Sequence, residues 1–160
     1  MSKIIWSCLF ILLLTAAKAQ DIPKWKLEDL KAAVAKADKP TIFNFWATFC
    51  VPCVEEIPYF QELVKKYDSA GVQLVLVSLD LPETYPKQIS SFASKHKFTS
   101  PIKYLEETNA DLFCPAVDSS WSGAIPASLF VNNKTGYRKF YEEQISKKKL
   151  EGEIRSMINK

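Results

Sequence analysis

Apolar and polar positions divide residues 27–159 into alternating helical and extended segments. Apolar residues recur at intervals of three and four, which predicts helices, in four stretches: 27–37, 50–70, 88–97 and 146–159. Runs that are β-branched, aromatic or continuously apolar predict strands at 41–47, 72–79, 102–105, 127–131 and 137–141. The last two strands flank a polar turn and indicate a hairpin. This alternation predicts an α/β domain with a mixed sheet.

Glycine and proline residues predict where the helices end or bend. Pro40 is expected to close the first helix, and Gly71 to terminate the second. Pro58 lies inside the second helix and is expected to kink it, because proline has no backbone N–H to donate. Neither a linker nor an internal repeat interrupts residues 20–160, so we expect one domain there.

The first nineteen residues follow a different pattern. Lys3 is followed by an apolar run from Ile4 to Ala17 and then by the small-x-small sequence Ala17-Lys18-Ala19. This pattern is typical of a secretory signal peptide, and the run is short for a membrane span of about 20 residues. We therefore predict a signal peptide at 1–19 and an exported chain, periplasmic or extracytoplasmic, that stays membrane-associated if the signal is not cleaved.

Composition agrees with a single globular domain. The chain has 160 residues, 48% of them hydrophobic and 24% charged, and it can bury a core without disulfide staples. Its net charge of +3 falls to +1 when Lys3 and Lys18 leave with the signal. This charge is too small and too evenly spread to indicate nucleic acid as a partner.

The candidate chemistry lies in Cys50-Val-Pro-Cys53, directly after a predicted strand and at the start of a predicted helix. At this spacing both sulfurs lie on one helical face, close enough for a disulfide. The helix N-terminus stabilises a thiolate, the nucleophile of disulfide exchange. We expect Cys50 to be the exposed attacking thiol and Cys53 the buried resolving thiol.

Two other interpretations of the cysteine pair are weaker. A zinc site needs two further ligands at comparable spacing, and only Cys114 and His96 are available. A purely structural disulfide across two residues would constrain the unfolded chain little. Redox exchange is therefore favoured. Cys114 itself is expected to be a buried apolar residue, with a third redox thiol or an intermolecular bridge as the alternatives.

The stretch from Phe45 to Pro58 resembles the active site of the thioredoxin superfamily, and more narrowly the exported thiol-disulfide oxidoreductases of the TlpA/ResA type. The Glu-x-x-Pro run that ends at Pro58 and the later segment Trp121–Pro126 carry the same resemblance, which covers residues 25–159. It implies a thioredoxin-like three-layer fold, with a central mixed β-sheet flanked by helices.

The resemblance also implies a substrate site. Pro126 would be a cis proline that faces the dithiol, and the backbone of Ile125 would bind an extended substrate segment as an added strand does. By the same resemblance, Trp46 would lie beside the dithiol and contact the substrate; the alternative is an ordinary core tryptophan at the end of a strand. Phe49 stands where the family often has tryptophan, which alters the substrate surface without changing the chemistry.

One departure concerns the proton acceptor. Thioredoxin has a buried aspartate six residues before the first cysteine, but this chain has Asn44 there, which cannot act as a base. Asp80 and Glu83, which follow the predicted central strand, are the candidates for this role. For each of them the alternative is an ordinary solvated loop carboxylate.

The residues around the cysteines predict a comparatively reducing couple. Val51-Pro52 supplies no charge, and Glu55 and Glu56 add negative charge that opposes a thiolate. The expected function is reduction of protein disulfides by a monomer that needs no metal or organic cofactor. An upstream thiol electron donor at the membrane is required, and the resemblance suggests apocytochrome c or other exported cysteine proteins as substrates. A thiol peroxidase and a non-catalytic thioredoxin-fold binding module are the alternatives.

Overall fold

Six strands form one mixed sheet in the computed structural model, which describes residues 21–159. The strands are β1 (Lys24–Trp25), β2 (Thr41–Trp46), β3 (Gln73–Ser78), β4 (Ile102–Leu105), β5 (Ala127–Asn132) and β6 (Tyr137–Tyr141), in the spatial order β1-β4-β3-β2-β5-β6. The first four strands in this order are parallel, whereas β5 is antiparallel to both β2 and β6. The mixed sheet and its terminal hairpin are thus confirmed.

Helices cover both faces of this sheet. They are α1 (Leu27–Ala35), α2 (Val51–Lys66), α3 (Lys87–Lys95), α4 (Ala110–Val117) and α5 (Lys147–Ile158). One core cluster joins the sheet to α2, α3 and α5, and a second joins its other face to α1 and α4. The result is the three-layer, thioredoxin-like α/β fold that the family resemblance implies.

Strand β2 positions the active site. All six of its residues are buried, because Ile42 and Trp46 pack into the first core cluster while Phe43 and Phe45 pack into the second. Two-sided burial fixes the direction in which the strand leaves the sheet. The loop after β2 therefore delivers Cys50 to the carboxyl edge of the sheet.

The structure differs from the predicted elements in three places. Helix α2 ends at Lys66 and gives way to a 3-10 turn over Asp68–Ala70, which Gly71 terminates at φ 73° as expected. Helix α2 contains Pro58, as predicted, and the kink expected there stays a prediction. Strand β1 and helix α4 were not predicted, because β1 has two residues and α4 contains Pro115.

Within residues 21–159, no helix combines the length and the apolar character needed to cross a membrane. The predicted signal peptide at 1–19 lies outside the described residues, and so do both Gln20, at the start of the predicted domain, and Lys160.

Candidate active site

Cys50 and Cys53 form a disulfide at the N-terminus of α2. Cys50 is the N-cap residue, its Sγ lies 3.3 Å from the Cys53 backbone N–H that donates to it, and the two Cα atoms are 5.3 Å apart. Pro52 fits the first helical turn because its missing N–H would have no intrahelical partner. The Cys50 sulfur therefore lies at the positive end of the helix, where a thiolate is stabilised.

Cys50 is more exposed to solvent than Cys53, but the difference is smaller than predicted. Cys50 is 7% exposed and Cys53 is 0% exposed, so Cys53 is the buried member as predicted. The prediction that Cys50 is exposed is wrong for this oxidised state, because its sulfur turns inward to the Cys53 N–H and into the disulfide. The exposed side chains are its neighbour Phe49 and the following Val51, each at 67%.

Asp80 supports the loop that precedes Cys50. Its carboxylate is buried and accepts hydrogen bonds from the Thr48 N–H at 3.0 Å, the Thr48 hydroxyl at 2.6 Å and the Ser78 hydroxyl at 2.8 Å. Asp80 is thus not the solvated carboxylate of the alternative interpretation, whereas Glu83 is exposed in the 3-10 turn Pro82–Thr84. The cysteine sulfurs are joined in a disulfide and have no S–H to donate, so the proton-acceptor role of Asp80 and Glu83 stays a prediction.

A third carboxylate near the cysteines, Glu56, is buried, which the sequence pattern did not predict. It lies three residues after Cys53 on α2 and is 0% exposed, and residues at this spacing are neighbours on one helix face. Its Oε1 accepts from the Asn44 side-chain amide at 2.8 Å, and its Oε2 accepts from the Ile145 N–H at 3.0 Å. Burial raises the pKa of Glu56 to about 7, against these two hydrogen bonds, which lower it.

This arrangement changes the role of two positions. Asn44, which cannot be a base, instead donates to the buried Glu56 carboxylate, and its amide also donates to the Ser128 hydroxyl at 3.0 Å. Glu56 was expected, with Glu55, to add negative charge that opposes a thiolate, but its side chain is buried. The signal that could have revealed it is its spacing: it shares the helix face of Cys53 and Phe60, both fully buried.

The Ile125–Pro126 peptide bond is cis, as the resemblance implied. Pro126 is buried, Ile125 is half-buried, and both precede β5. Within the described part of the chain, the backbone N–H and C=O of Ile125 have no hydrogen-bond partner. Ile125 also lines a cleft of about 250 Å³ whose other walls include Phe49 and Leu81. A polar backbone edge beside a partly apolar cleft is suited to an extended peptide.

Trp46 does not belong to this surface. It is 0% exposed and packs edge-to-face on Phe98, with ring centroids 5.3 Å apart, and also contacts Phe92. The assignment of Trp46 to substrate contact is therefore corrected, because the last residue of β2 points into the core cluster beneath α3. Its role is packing.

The remaining candidate ligands do not assemble into a site. Cys114 is 3% exposed on α4, and burial raises the pKa of its thiol, as expected for a buried apolar residue. His96 stacks on Phe92 with ring centroids 4.2 Å apart. Between residues 21 and 159, no three His, Cys, Asp or Glu side chains come together in a way that could hold a metal ion.

A family model described as the AhpC/TSA family matches residues 14–136 of this sequence. The chain belongs to the AhpC/TSA family. Within it, this AhpC/TSA member is 30% identical over 114 residues to the thiol-disulfide oxidoreductase ResA of Oceanobacillus iheyensis, a match that covers 71% of this chain and 55% of the relative. It is 31% identical over 137 residues to ResA of Bacillus anthracis, covering 84% of this chain and 69% of that one.

A solved structure agrees with the fold. The thioredoxin-related protein from Neisseria meningitidis serogroup B is 25% identical and superposes with a TM-score of 0.63, over 76% of this chain and 86% of that chain. The AhpC/TSA member described here thus combines a thioredoxin-like fold, sequence similarity to the ResA oxidoreductases and a Cys50–Cys53 disulfide. It spans little more than half of the Oceanobacillus relative.

Proposed function

We propose that this protein is an exported thiol-disulfide oxidoreductase that reduces disulfides in other proteins. The observation that carries the proposal is the pairing of Cys50, at the helix N-terminus, with a buried carboxylate one helical turn beyond Cys53. An attacking thiolate and a proton acceptor for the second thiol are the two groups that disulfide reduction requires.

In the first step the Cys50 thiolate attacks one sulfur of a substrate disulfide. The substrate S–S bond breaks as the Cys50–substrate bond forms, and the displaced substrate thiolate takes a proton from solvent. The positive end of α2 and the Cys53 N–H stabilise the Cys50 thiolate before the attack. Val51 and Pro52 bring no charge to this end of the helix.

In the second step Cys53 resolves the mixed disulfide. Its thiol gives a proton to the Glu56 carboxylate, and the resulting thiolate attacks the Cys50 sulfur. The second substrate sulfur leaves as a thiolate and is protonated, so the substrate departs as a dithiol and the protein keeps the Cys50–Cys53 disulfide. A carboxylate with a pKa of about 7 accepts and releases this proton near neutral pH.

A two-electron donor must then reduce the protein again, because each turnover oxidises Cys50 and Cys53. We propose a dithiol protein at the membrane as this donor, without a metal or organic cofactor. The predicted signal peptide supports export to a periplasmic or extracytoplasmic compartment, where free thiols need such a supply. We further propose that the protein acts as a monomer.

Substrate binding is assigned to Ile125 and Pro126. The free N–H and C=O of Ile125 pair with an extended segment that carries the substrate disulfide, so that recognition uses backbone shared by all proteins. On the basis of this chain's resemblance to the TlpA/ResA-type oxidoreductases, we propose apocytochrome c and other exported cysteine proteins as substrates. We propose a reducing couple, since Glu55 remains exposed close to the helix start and no histidine lies between the cysteines.

Substitution of the resolving cysteine tests this function. Cys53→Ser should accumulate disulfide-linked adducts on Cys50, which mass spectrometry of non-reduced cell extracts identifies by partner. Cys50→Ser is the matched control and should form none. If Cys53→Ser forms no adducts and Cys50→Ser still reduces insulin disulfides, the mechanism is wrong.

Two assays separate the alternatives. Consumption of peroxide by wild-type protein at a rate far above its reduction of insulin would indicate a thiol peroxidase. The absence of any thiol-dependent insulin reduction would indicate a binding module.

A further inference from the structure

The loop that presents Ile125 is held by a carboxylate from another strand. Strand β6 pairs with β5, so its end lies beside the segment that leads into β5. Glu142 follows β6 directly, and its carboxylate reaches the loop at residues 121–126, which we call the 121–126 loop. The hairpin thus brings a charged group to the segment just before the proposed substrate site.

Four contacts join Glu142 to this loop. Its Oε1 accepts from the Ser122 N–H at 3.0 Å, the Ser122 hydroxyl at 2.5 Å and the Ala124 N–H at 2.8 Å. Its Oε2 lies 3.1 Å from the same Ser122 N–H. These donors lower the pKa of Glu142, because hydrogen bonds from Ser122 and Ala124 stabilise the ionised carboxylate.

The loop has few other restraints between its ends. Ser122 and Ala124 are exposed, and Gly123 adopts φ 102°, a conformation that glycine reaches most easily. At the base of the loop, the Trp121 indole N–H donates to the Ala124 carbonyl at 2.9 Å. Glu142 is therefore the group that closes the loop from the solvent side and fixes Ala124, the residue that precedes Ile125.

We propose that Glu142 is a positioning residue for substrate binding: it holds the 121–126 loop so that Ile125 presents its backbone N–H and C=O to an extended protein substrate. This rests on the proposed function, since it assigns a residue to the binding of that substrate. Without the carboxylate, the loop must be ordered when the peptide binds, which weakens binding and leaves the thiol chemistry unchanged.

The chain offers matched variants. Glu142→Ala deletes every contact to the loop. Glu142→Gln removes the charge but keeps one oxygen, which can accept the three Oε1 hydrogen bonds. Glu143→Ala removes the same charge one residue later, where the side chain pairs with Lys149 and not with the loop.

Kinetics with two substrates give the first test. With a disulfide-linked peptide, Glu142→Ala should raise KM roughly tenfold with kcat nearly unchanged, while Glu142→Gln and Glu143→Ala stay within about twofold of wild type. With bis(2-hydroxyethyl) disulfide, which has no peptide group to pair with Ile125, all variants should match wild type. An unchanged peptide KM in Glu142→Ala, or a Glu142→Gln variant as impaired as the alanine, overturns the proposal.

Hydrogen exchange gives a test that does not depend on activity. The amides of Ser122 and Ala124 should exchange roughly tenfold or more faster in Glu142→Ala than in wild type, and at wild-type rates in Glu143→Ala. If wild-type protein reduces no disulfide, the proposed function fails, and this exchange still reports on the loop. If wild-type protein is active but the two amides remain protected in Glu142→Ala, the positioning role fails alone.

Discussion

Two buried carboxylates, Glu56 and Asp80, follow Cys50 in the chain, and they are held in different ways. Asp80 accepts three hydrogen bonds, two of them from Thr48, and joins the end of β3 to the loop before Cys50. Glu56 accepts two, from Asn44 and Ile145, and lies on the helix face of Cys53. Burial is common to both, so it does not by itself identify a base. We expect position relative to the thiol and the number of fixed donors to separate a structural carboxylate from a proton acceptor.

The largest expected effect comes from removing each carboxylate in turn. Glu56→Gln should slow release of substrate from a Cys50 mixed disulfide roughly 100-fold at pH 7, because Cys53 loses its proton acceptor. Asp80→Asn should slow it less than roughly tenfold, because Glu56 remains. Rapid-mixing measurement of thiol release from the preformed mixed disulfide gives both rates. Equal effects of the two substitutions would remove the distinction between the carboxylates.

The burial of Glu56 should also appear in the pH dependence of the free energy of unfolding. The pKa of Glu56 is raised from 4.5 to about 7 in the folded protein, so between these values the folded state binds more protons than the unfolded state. The free energy of unfolding should therefore fall by about 3 kcal/mol as pH rises from about 4.5 to about 7. Denaturant titration of oxidised wild-type protein measures this change.

Glu56→Gln is the control for this pH dependence, since glutamine does not titrate in this range. Asn44 can turn its carbonyl oxygen, a buried acceptor with no partner among the described residues, toward the new amide. The variant should lack the fall in stability and exceed wild type above pH 7. A wild-type curve that is flat from pH 4.5 to 7 would contradict the position assigned to Glu56.

Asp80→Asn should act mainly on stability. The asparagine keeps one acceptor oxygen but places an amide where two hydroxyl groups and an N–H donate, so we expect a loss of about 1–3 kcal/mol. Thermal unfolding at pH 7 measures it, with Glu83→Gln as the exposed control. A loss no greater than that of the control would show that Asp80 does not hold the loop.

The smallest effect should come from Cys114. Its thiol is buried in the second core cluster on α4, so Cys114→Ala should leave mixed-disulfide release unchanged and cost less than about 2 kcal/mol of stability. Non-reducing electrophoresis and the release assay check this together. A slower release, or the disappearance of a disulfide-linked dimer in the variant, would instead support the redox or bridging alternatives.

The longer strands of the sheet could be predicted from the local sequence pattern, whereas strand β1 and helix α4 could not. Strands β2 and β3 carry nearly continuous apolar sequence, which identifies interior strands without knowledge of their partners. Strand β1 has only two residues, and its identity depends on pairing with Tyr104 and Leu105. Helix α4 has eight residues and contains Pro115, so its helical period is too short to recognise.

At the candidate site, too, features that depend on contacts distant in sequence could not be predicted. The cysteine pair was recognisable from its own residues and the cis proline from the family resemblance, but the burial of Glu56 was not, because a charged residue in a helix is ordinarily solvent-facing. Its burial depends on Asn44, 12 residues earlier, and on Ile145, 89 residues later. Trp46 was assigned to the substrate surface although it is buried. Its burial depends on contacts with Phe92 and Phe98, which come from α3 and the segment after it, far from Trp46 in the sequence.

The pH profile of mixed-disulfide release tests the central mechanism most directly. If Glu56 accepts the Cys53 proton, the wild-type rate should rise with pH through about 7, because the carboxylate must be ionised to act. In Glu56→Gln that rise should vanish, leaving only a slower increase near the ordinary thiol pKa of about 8.5. Superimposable profiles for wild type and Glu56→Gln would show that Glu56 does not take part in the reaction.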